Sequence, residues 1–228
     1  MKTSIFCLQN ELIEKILTEK KILDKGSIIL RKPEEIKLSL LDKIKPDFIF
    51  FPHWSHKVPS EVVNKYKCIC FHSSPLPYGR GGSPIQNMIL RDHTTSEVCS
   101  LLMVEDFDAG PIYLRDGVSL DGTLDEILLR IYNIIGEQIK ILIKEEIEPK
   151  KQKGSPTVFK RLSHEDNEIL PDSNLLSLFN KIRMLDSQLY PKAFIDYGNF
   201  KLEFTDAKLS KNQIDAKVVF KFGSEKKD

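Results

Sequence analysis

No apolar run in the 228 residues approaches the roughly 18–20 needed to span a bilayer, so no membrane-crossing helix is expected. The start, MKTSIFCLQNELIEK, is too short in apolar residues for a secretory leader, because Gln9, Asn10 and Glu11 interrupt it. A cytoplasmic protein is the expectation. Formal net charge is +1, which leaves no global basic field to draw in nucleic acid. Cysteine is scarce: Cys7, Cys68, Cys70 and Cys99 each sit in apolar, strand-like surroundings, where reduced buried thiols are expected. Cys68 and Cys70 share a strand face, but no second ligand pair follows at zinc spacing. His53 and His56, three apart in HWSH, lack an acidic or cysteine neighbour, so no metal is assigned there either. The glycine-rich GRGGSP ends without Gly-Lys-Ser/Thr and is not Gly-x-Gly-x-x-Gly, which excludes both common phosphate-cradling loops.

What is present is a soluble, globular composition, 41% hydrophobic and 29% charged. The length suits one large α/β domain or an ordinary domain with an appendage. Strands are predicted at 3–9, 26–32, 47–52 and 67–72, separated by helices at 11–20, 33–44 and 60–66. Continuous β-branched and aromatic runs alternating with helices are the pattern of a parallel sheet buried on both faces. A Rossmann-like, doubly wound α/β sheet is therefore expected. Residues 99–110 are expected to form a fifth strand running into an acidic turn, followed by a long helix opened by Thr123 and Glu126 at capping-box spacing. Leu124, Ile127, Leu128, Ile131 and Ile135 give that helix its core face. Charge with Pro149, Gly154 and Pro156 marks a boundary, dividing the chain into 1–150 and a small β-rich (α+β) domain at 151–228. The latter should hold a helix at 175–185, two strands about Gly198-Asn199, a third at 216–222, and a frayed last five residues.

Ligands of such sheets bind outside the carboxyl ends of the strands. In CICFHSSPLPYGRGGSPIQ (68–86), His72 ends the fourth strand and leads into a loop with Arg80 among glycines. Asp108 lies just past the fifth strand, and the two would share a rim if those strands are neighbours. Taken singly, the histidine reads equally as a capping residue, Asp108-Ala109-Gly110 as a turn, and GRGGSP as a connection.

Together, residues 67–110 resemble the folate-dependent formyltransferase family. Its Asn-x-His, Ser, Leu-Pro, Arg-Gly, Pro and later Asp-x-Gly are matched in order by His72, Ser74, Leu76, Pro77, Arg80, Gly81, Pro84, Asp108 and Gly110. The family's Asn falls on Cys70, whose thiol is a poor substitute for an amide donor. FKRLSHEDNEI (159–169) and IRMLDSQLYPKAF (182–194) look like the second half of the nucleotide-sugar N-formyltransferases, and GRGGSPIQN (79–87) with RMLDSQLYPKAFI (183–195) most resemble the UDP-4-amino-sugar enzymes of pseudaminic-acid pathways. The resemblance implies formyl transfer from N10-formyltetrahydrofolate, without metal, to the amine of a nucleotide-linked 4-amino-4,6-dideoxy sugar, most simply UDP-linked. A dTDP-linked 3-amino sugar and a folate- or nucleotide-binding module with impaired catalysis are the alternatives. A tRNA acceptor would favour a larger, basic C-terminal domain.

The same resemblance assigns His72 as the base that takes the amine's proton, Asp108 as its partner, and Cys70 to the oxyanion-donor position. Folate is expected against Trp54 and the turn of Val104, Glu105, Asp106 and Asp108. Arg80, Lys160 and Arg161 are candidates for the diphosphate, and Tyr190 for stacking on the base. The expected partners are thus folate and the nucleotide sugar, with neither nucleic acid nor membrane. A homodimer is a further expectation that no stretch of the sequence assigns to a surface.

Overall fold

The computed structural model describes residues 2–222, so the expectation for the last five residues lies outside them. The N-terminal half alternates strands and helices: β1 (Ser4–Cys7), α1 (Glu11–Glu19), β2 (Ile28–Leu30), α2 (Leu38–Ile44), β3 (Phe48–Phe51), α3 (Ser60–Lys65) and β4 (Cys68–His72). There follow β5 (Arg80–Gly81), α4 (Pro84–Ile89), β6 (Thr95–Leu102), β7 (Ile112–Ser119) and α5 (Leu124–Lys144). The remainder holds β8 (Val158–Phe159), α6 (Leu175–Arg183), β9 (Ala193–Tyr197), β10 (Phe200–Leu209) and β11 (Ile214–Phe222).

The main sheet has the order β2-β1-β3-β4-β6-β7. β2, β1, β3 and β4 run parallel, as their uninterrupted apolar sequences require. One face buries Ile5, Leu30, Ile49, Val62 and Cys68 in a common cluster. Another set of side chains stacks Phe6 on Phe50 at 5.6 Å and Phe48 on Phe50 at 5.5 Å between ring centroids. Each such buried phenylalanine contributes about 1.5–3 kcal/mol from area alone. Asn10 caps α1, its side chain accepting from the N–H groups of Leu12 and Ile13. The Thr123–Glu126 capping box forms as expected: Glu126 Oε2 accepts from the Thr123 N–H at 2.9 Å.

β6 departs from the parallel pattern. It runs antiparallel to β4, with Ile69 opposite Leu102 and His72 opposite Cys99. The connection holds the two-residue β5 and a single helix, the six-residue α4, which at about 9 Å is too short to carry the chain back along a strand before it re-enters the sheet. β7, not anticipated from the sequence, lies beside β6 at the edge.

Two compact units emerge, and a single cut near residue 150 does not separate them. One comprises 1–81, 96–118 and 130–158; the other comprises 82–95, 119–129 and 159–228. The second unit recruits α4 and the first turns of α5 because their buried polar groups find partners there. The Asn87 amide donates to the Lys160 carbonyl at 2.9 Å, and buried Arg183 donates to the Leu120 carbonyl. Its sheet is antiparallel, β11-β10-β9, with the β9–β10 turn at Gly198 (φ +57°) as expected.

Candidate active site

β4 places Cys68, Cys70 and His72 on one face, two residues apart each time. Because β6 is antiparallel, its carboxyl end lies at the far rim from His72, and Asp108 does not arrive there by the route expected. Instead residues 103–110 fold back. The Met103 N–H donates to the Cys68 carbonyl, and the Leu102 N–H donates to the Pro111 carbonyl. Gly110 passes so close to Leu102 that a Cβ would lie 1.7 Å from its carbonyl oxygen. The turn sets Asp108 at φ +54°, a left-handed conformation that Asp tolerates better than most residues.

The outcome is a pair: His72 Nδ1 lies 3.4 Å from Asp108 Oδ2. Both side chains are largely shielded, 7% and 18% exposed, so a positive charge formed on the ring would meet the carboxylate with little weakening by solvent. Asp108 Oδ2 also accepts from the Gly81 N–H at 2.9 Å. On the other side of the ring, His72 Nε2 is 2.7 Å from the Gly79 carbonyl. A carbonyl only accepts, so Nε2 carries a hydrogen and Nδ1 is the nitrogen open to a proton. Ser74 Oγ donates to the same carbonyl at 3.0 Å and to that of Tyr78 at 2.9 Å, closing the loop beneath the histidine.

Cys70 feels the same carboxylate. Burial first, and then the nearby Asp108 charge, hold its thiol well above the ordinary range, so it is neutral. Its Sγ faces the Leu101 carbonyl at 3.9 Å. All four cysteines are free, and burial pushes Cys68 up to about 12 and Cys99 up to about 11.

Gln152 is a residue that sequence reasoning missed. Its Nε2 donates to the carbonyls of Asp108 (2.7 Å) and Gly110 (2.9 Å), while its Oε1 accepts from Arg80 Nε and Nη2. It therefore ties the Arg80 guanidinium to the turn that carries Asp108. Nothing local distinguishes it, since it lies in the charged segment read as a connector. Thr157 was missed likewise; its Oγ1 accepts from the Gly79 N–H at 2.8 Å.

The other expected residues are distributed as follows. Trp54 packs edge-on to Phe51 and His56, with Nε1 buried and unpartnered. Val104, Glu105 and Asp106 are exposed, and Phe107 between them and Asp108 is 69% exposed. His53 lies edge-on to Tyr132, and burial lowers its imidazole pKa. Among the described residues, no group of three potential ligands is placed to hold a metal ion. No helix among them is long and apolar enough to cross a membrane. In the second unit, Lys160 and Arg161 are exposed, and the half-buried Tyr190 phenol, raised by burial, feels the Arg161 charge.

A family model described as "Formyl transferase" matches residues 29–132, and one described as "Methionyl-tRNA formyltransferase, C-terminal domain" matches 164–221. A solved structure, methionyl-tRNA formyltransferase from Clostridium thermocellum, superposes with a TM-score of 0.92 at 34% identity, over 98% of this chain and 100% of that one. The chain belongs to the formyltransferase family. The methionyl-tRNA formyltransferase of Campylobacter lari is 33% identical over 91% of this formyltransferase chain, which spans 64% of that relative's length. A 4-N formyltransferase structure from Francisella tularensis shares the formyltransferase fold, with a TM-score of 0.71 at 16% identity over 92% of this chain and 98% of that one.

Proposed function

We propose that this formyltransferase moves the formyl group of N10-formyltetrahydrofolate to the amino group of a nucleotide-linked 4-amino-4,6-dideoxy sugar, UDP-linked, with His72 as base. The observation that carries the chemistry is the shielded His72–Asp108 pair, with one ring nitrogen fixed on Gly79 and the other open beside a carboxylate. When bound, the folate supplies an activated formyl carbon. The residues present fit it. The N–H groups from Val104 to Asp108 donate to no backbone carbonyl among the described residues, and Trp54 Nε1 is a buried donor without a partner. These groups suit the edge of a heterocycle.

His72 Nδ1 takes a proton from the attacking amine, and Asp108 pairs with the imidazolium so formed. The Gly81 N–H holds the carboxylate in place, and Gln152 holds the backbone on which it sits. Cys70 occupies the position of an oxyanion donor but donates weakly, so His72 or a backbone N–H carries that role. Cys70→Asn is expected to fold and to turn over at least as fast as the parent in initial-rate assays. Complete loss of activity would instead mark a site shaped around the thiol.

The acceptor reading rests on charge. Residues 159–222 carry ten basic and nine acidic side chains. Lys192, Lys217 and Lys221 are already paired with Asp186, Asp206 and Glu203. Such a surface lacks the excess cation that a polynucleotide acceptor rewards. Lys160 and Arg161 are exposed cations and are assigned to the diphosphate, with Tyr190 near the base; Arg80 is engaged by Gln152. A methionyl-tRNA acceptor is the second reading, favoured by the full-length match at 34% identity. The free, high-pKa thiols suit a reducing cytoplasm, and the enzyme is taken to act as a homodimer.

The test is a formyl-transfer assay with UDP- and dTDP-linked 3-amino and 4-amino sugars alongside methionyl-tRNA. A UDP-4-amino sugar heavier by one formyl group is the expected product. Formylation of methionyl-tRNA alone would replace the acceptor. Folate binding with no product from any acceptor would mark a non-catalytic module.

A further inference from the structure

Thr157 is exposed and lies in the segment after α5, yet all three of its polar groups are spent on the loop beneath His72. Its N–H donates to the Pro77 carbonyl at 3.2 Å, and its carbonyl accepts from the Arg80 N–H at 3.0 Å. Its Oγ1 accepts from the Gly79 N–H at 2.8 Å. These bonds grip the peptide planes on both sides of Gly79. In a trans peptide the N–H and the C=O point in opposite directions. The plane that turns the Arg80 N–H to Thr157 therefore turns the Gly79 carbonyl the other way, where His72 and Ser74 donate to it.

That direction matters because a neutral imidazole carries one hydrogen, and two acceptors compete for it. The Gly79 carbonyl is 2.7 Å from Nε2, and the Asp108 carboxylate is 3.4 Å from Nδ1. The carboxylate is the stronger acceptor by its charge. It is nonetheless held beyond the roughly 2.7–3.2 Å of an N–H···O bond. Its Oδ2 takes the Gly81 N–H, and the Asp108 carbonyl takes Gln152 Nε2. The nearer carbonyl decides the contest. Without the Thr157 hydroxyl, the buried Gly79 N–H has no partner and must turn to find one. Glycine resists such a turn little, and the adjoining carbonyl goes with it. We infer that Thr157 is a positioning residue that fixes His72 as the Nε2–H tautomer and keeps Nδ1 open. The tautomer follows from this geometry alone; its effect on turnover rests on the reading of His72 as the base.

Magnetic resonance of the intact chain carrying isotope-labelled histidine reads the tautomer directly, with the His72 signals identified by their loss in His72→Asn. The parent should carry its hydrogen on Nε2. Thr157→Val keeps the side-chain shape without the hydroxyl. It should move the hydrogen to Nδ1 and lower kcat on the order of tenfold or more, with the KM for folate little changed. Thr157→Ser returns the oxygen and should restore both tautomer and rate. Thr157→Ala lacks the oxygen and adds no bulk, so it should behave as the valine variant even where valine disturbs the loop. A parent with its hydrogen on Nδ1 would overturn the inference. So would Nε2–H retained in both Thr157→Val and Thr157→Ala, whatever their rates. A switch of tautomer at the parent's rate would support the hold of Thr157 on the ring and count against His72 as the base.

Discussion

His72→Asn should lower turnover by about 10²–10⁴ while leaving the fold intact. The substitution suits the question because the amide has no basic nitrogen, while Ser74 Oγ still donates to the Gly79 carbonyl that the ring now holds at 2.7 Å. The loop closed by Ser74 therefore keeps its anchor. What is lost is the open ring nitrogen beside Asp108, the atom assigned to take the amine's proton. Steady-state turnover at saturating folate and acceptor, read beside a thermal melt, separates the outcomes. A rate equal to the parent's would remove His72 from the base role. A lowered melting temperature would mean that the ring acts mainly as a strut.

Gly110→Ala should be the most damaging single methyl group outside the catalytic pair. The obstacle is the backbone carbonyl of Leu102, which cannot swing away as a side-chain tip would. Accommodating a Cβ that starts 1.7 Å from that oxygen requires the 103–110 turn to lift off β6. The Gly110 carbonyl would leave Gln152, and Asp108, two residues earlier, would leave His72. We expect a loss of about 3 kcal/mol or more in urea unfolding, on the order of 10 °C in melting temperature, and a fall in turnover beyond what the loss of stability explains. Gly117→Ala is the control: no atom lies within 4 Å of its added Cβ, so its effect should stay within about 0.5 kcal/mol or be slightly stabilising. Equal behaviour of the two variants would show that the turn yields freely and does not position Asp108.

The parts of this fold legible in the sequence are those whose burial is two-sided. FIFF and CICFH have no choice but a central strand, and the helices between them carry clear apolar stripes. α4 was illegible for the opposite reason: PIQNMI buries Gln86 and Asn87, which look like loop residues until their carbonyl partners are known. The His72–Asp108 meeting was anticipated, but by neighbouring strand ends; the actual route, a turn folded back over β4, depends on the antiparallel β6. Gln152 lay beyond reading because its value comes wholly from two carbonyls and a guanidinium more than forty residues distant in sequence. Local pattern reports burial well and reports tertiary hydrogen bonding hardly at all.

The chain crosses between its two compact units five times, at 81/82, 95/96, 118/119, 129/130 and 158/159. Neither unit is a continuous stretch that a ribosome could finish and release to fold before the other. The first waits until residue 158 has emerged, by which time two pieces of the second have already been made between its own. Cutting the chain at any one peptide bond therefore yields two incomplete halves, and a minimal version of this fold would have to be reached by trimming loops within segments.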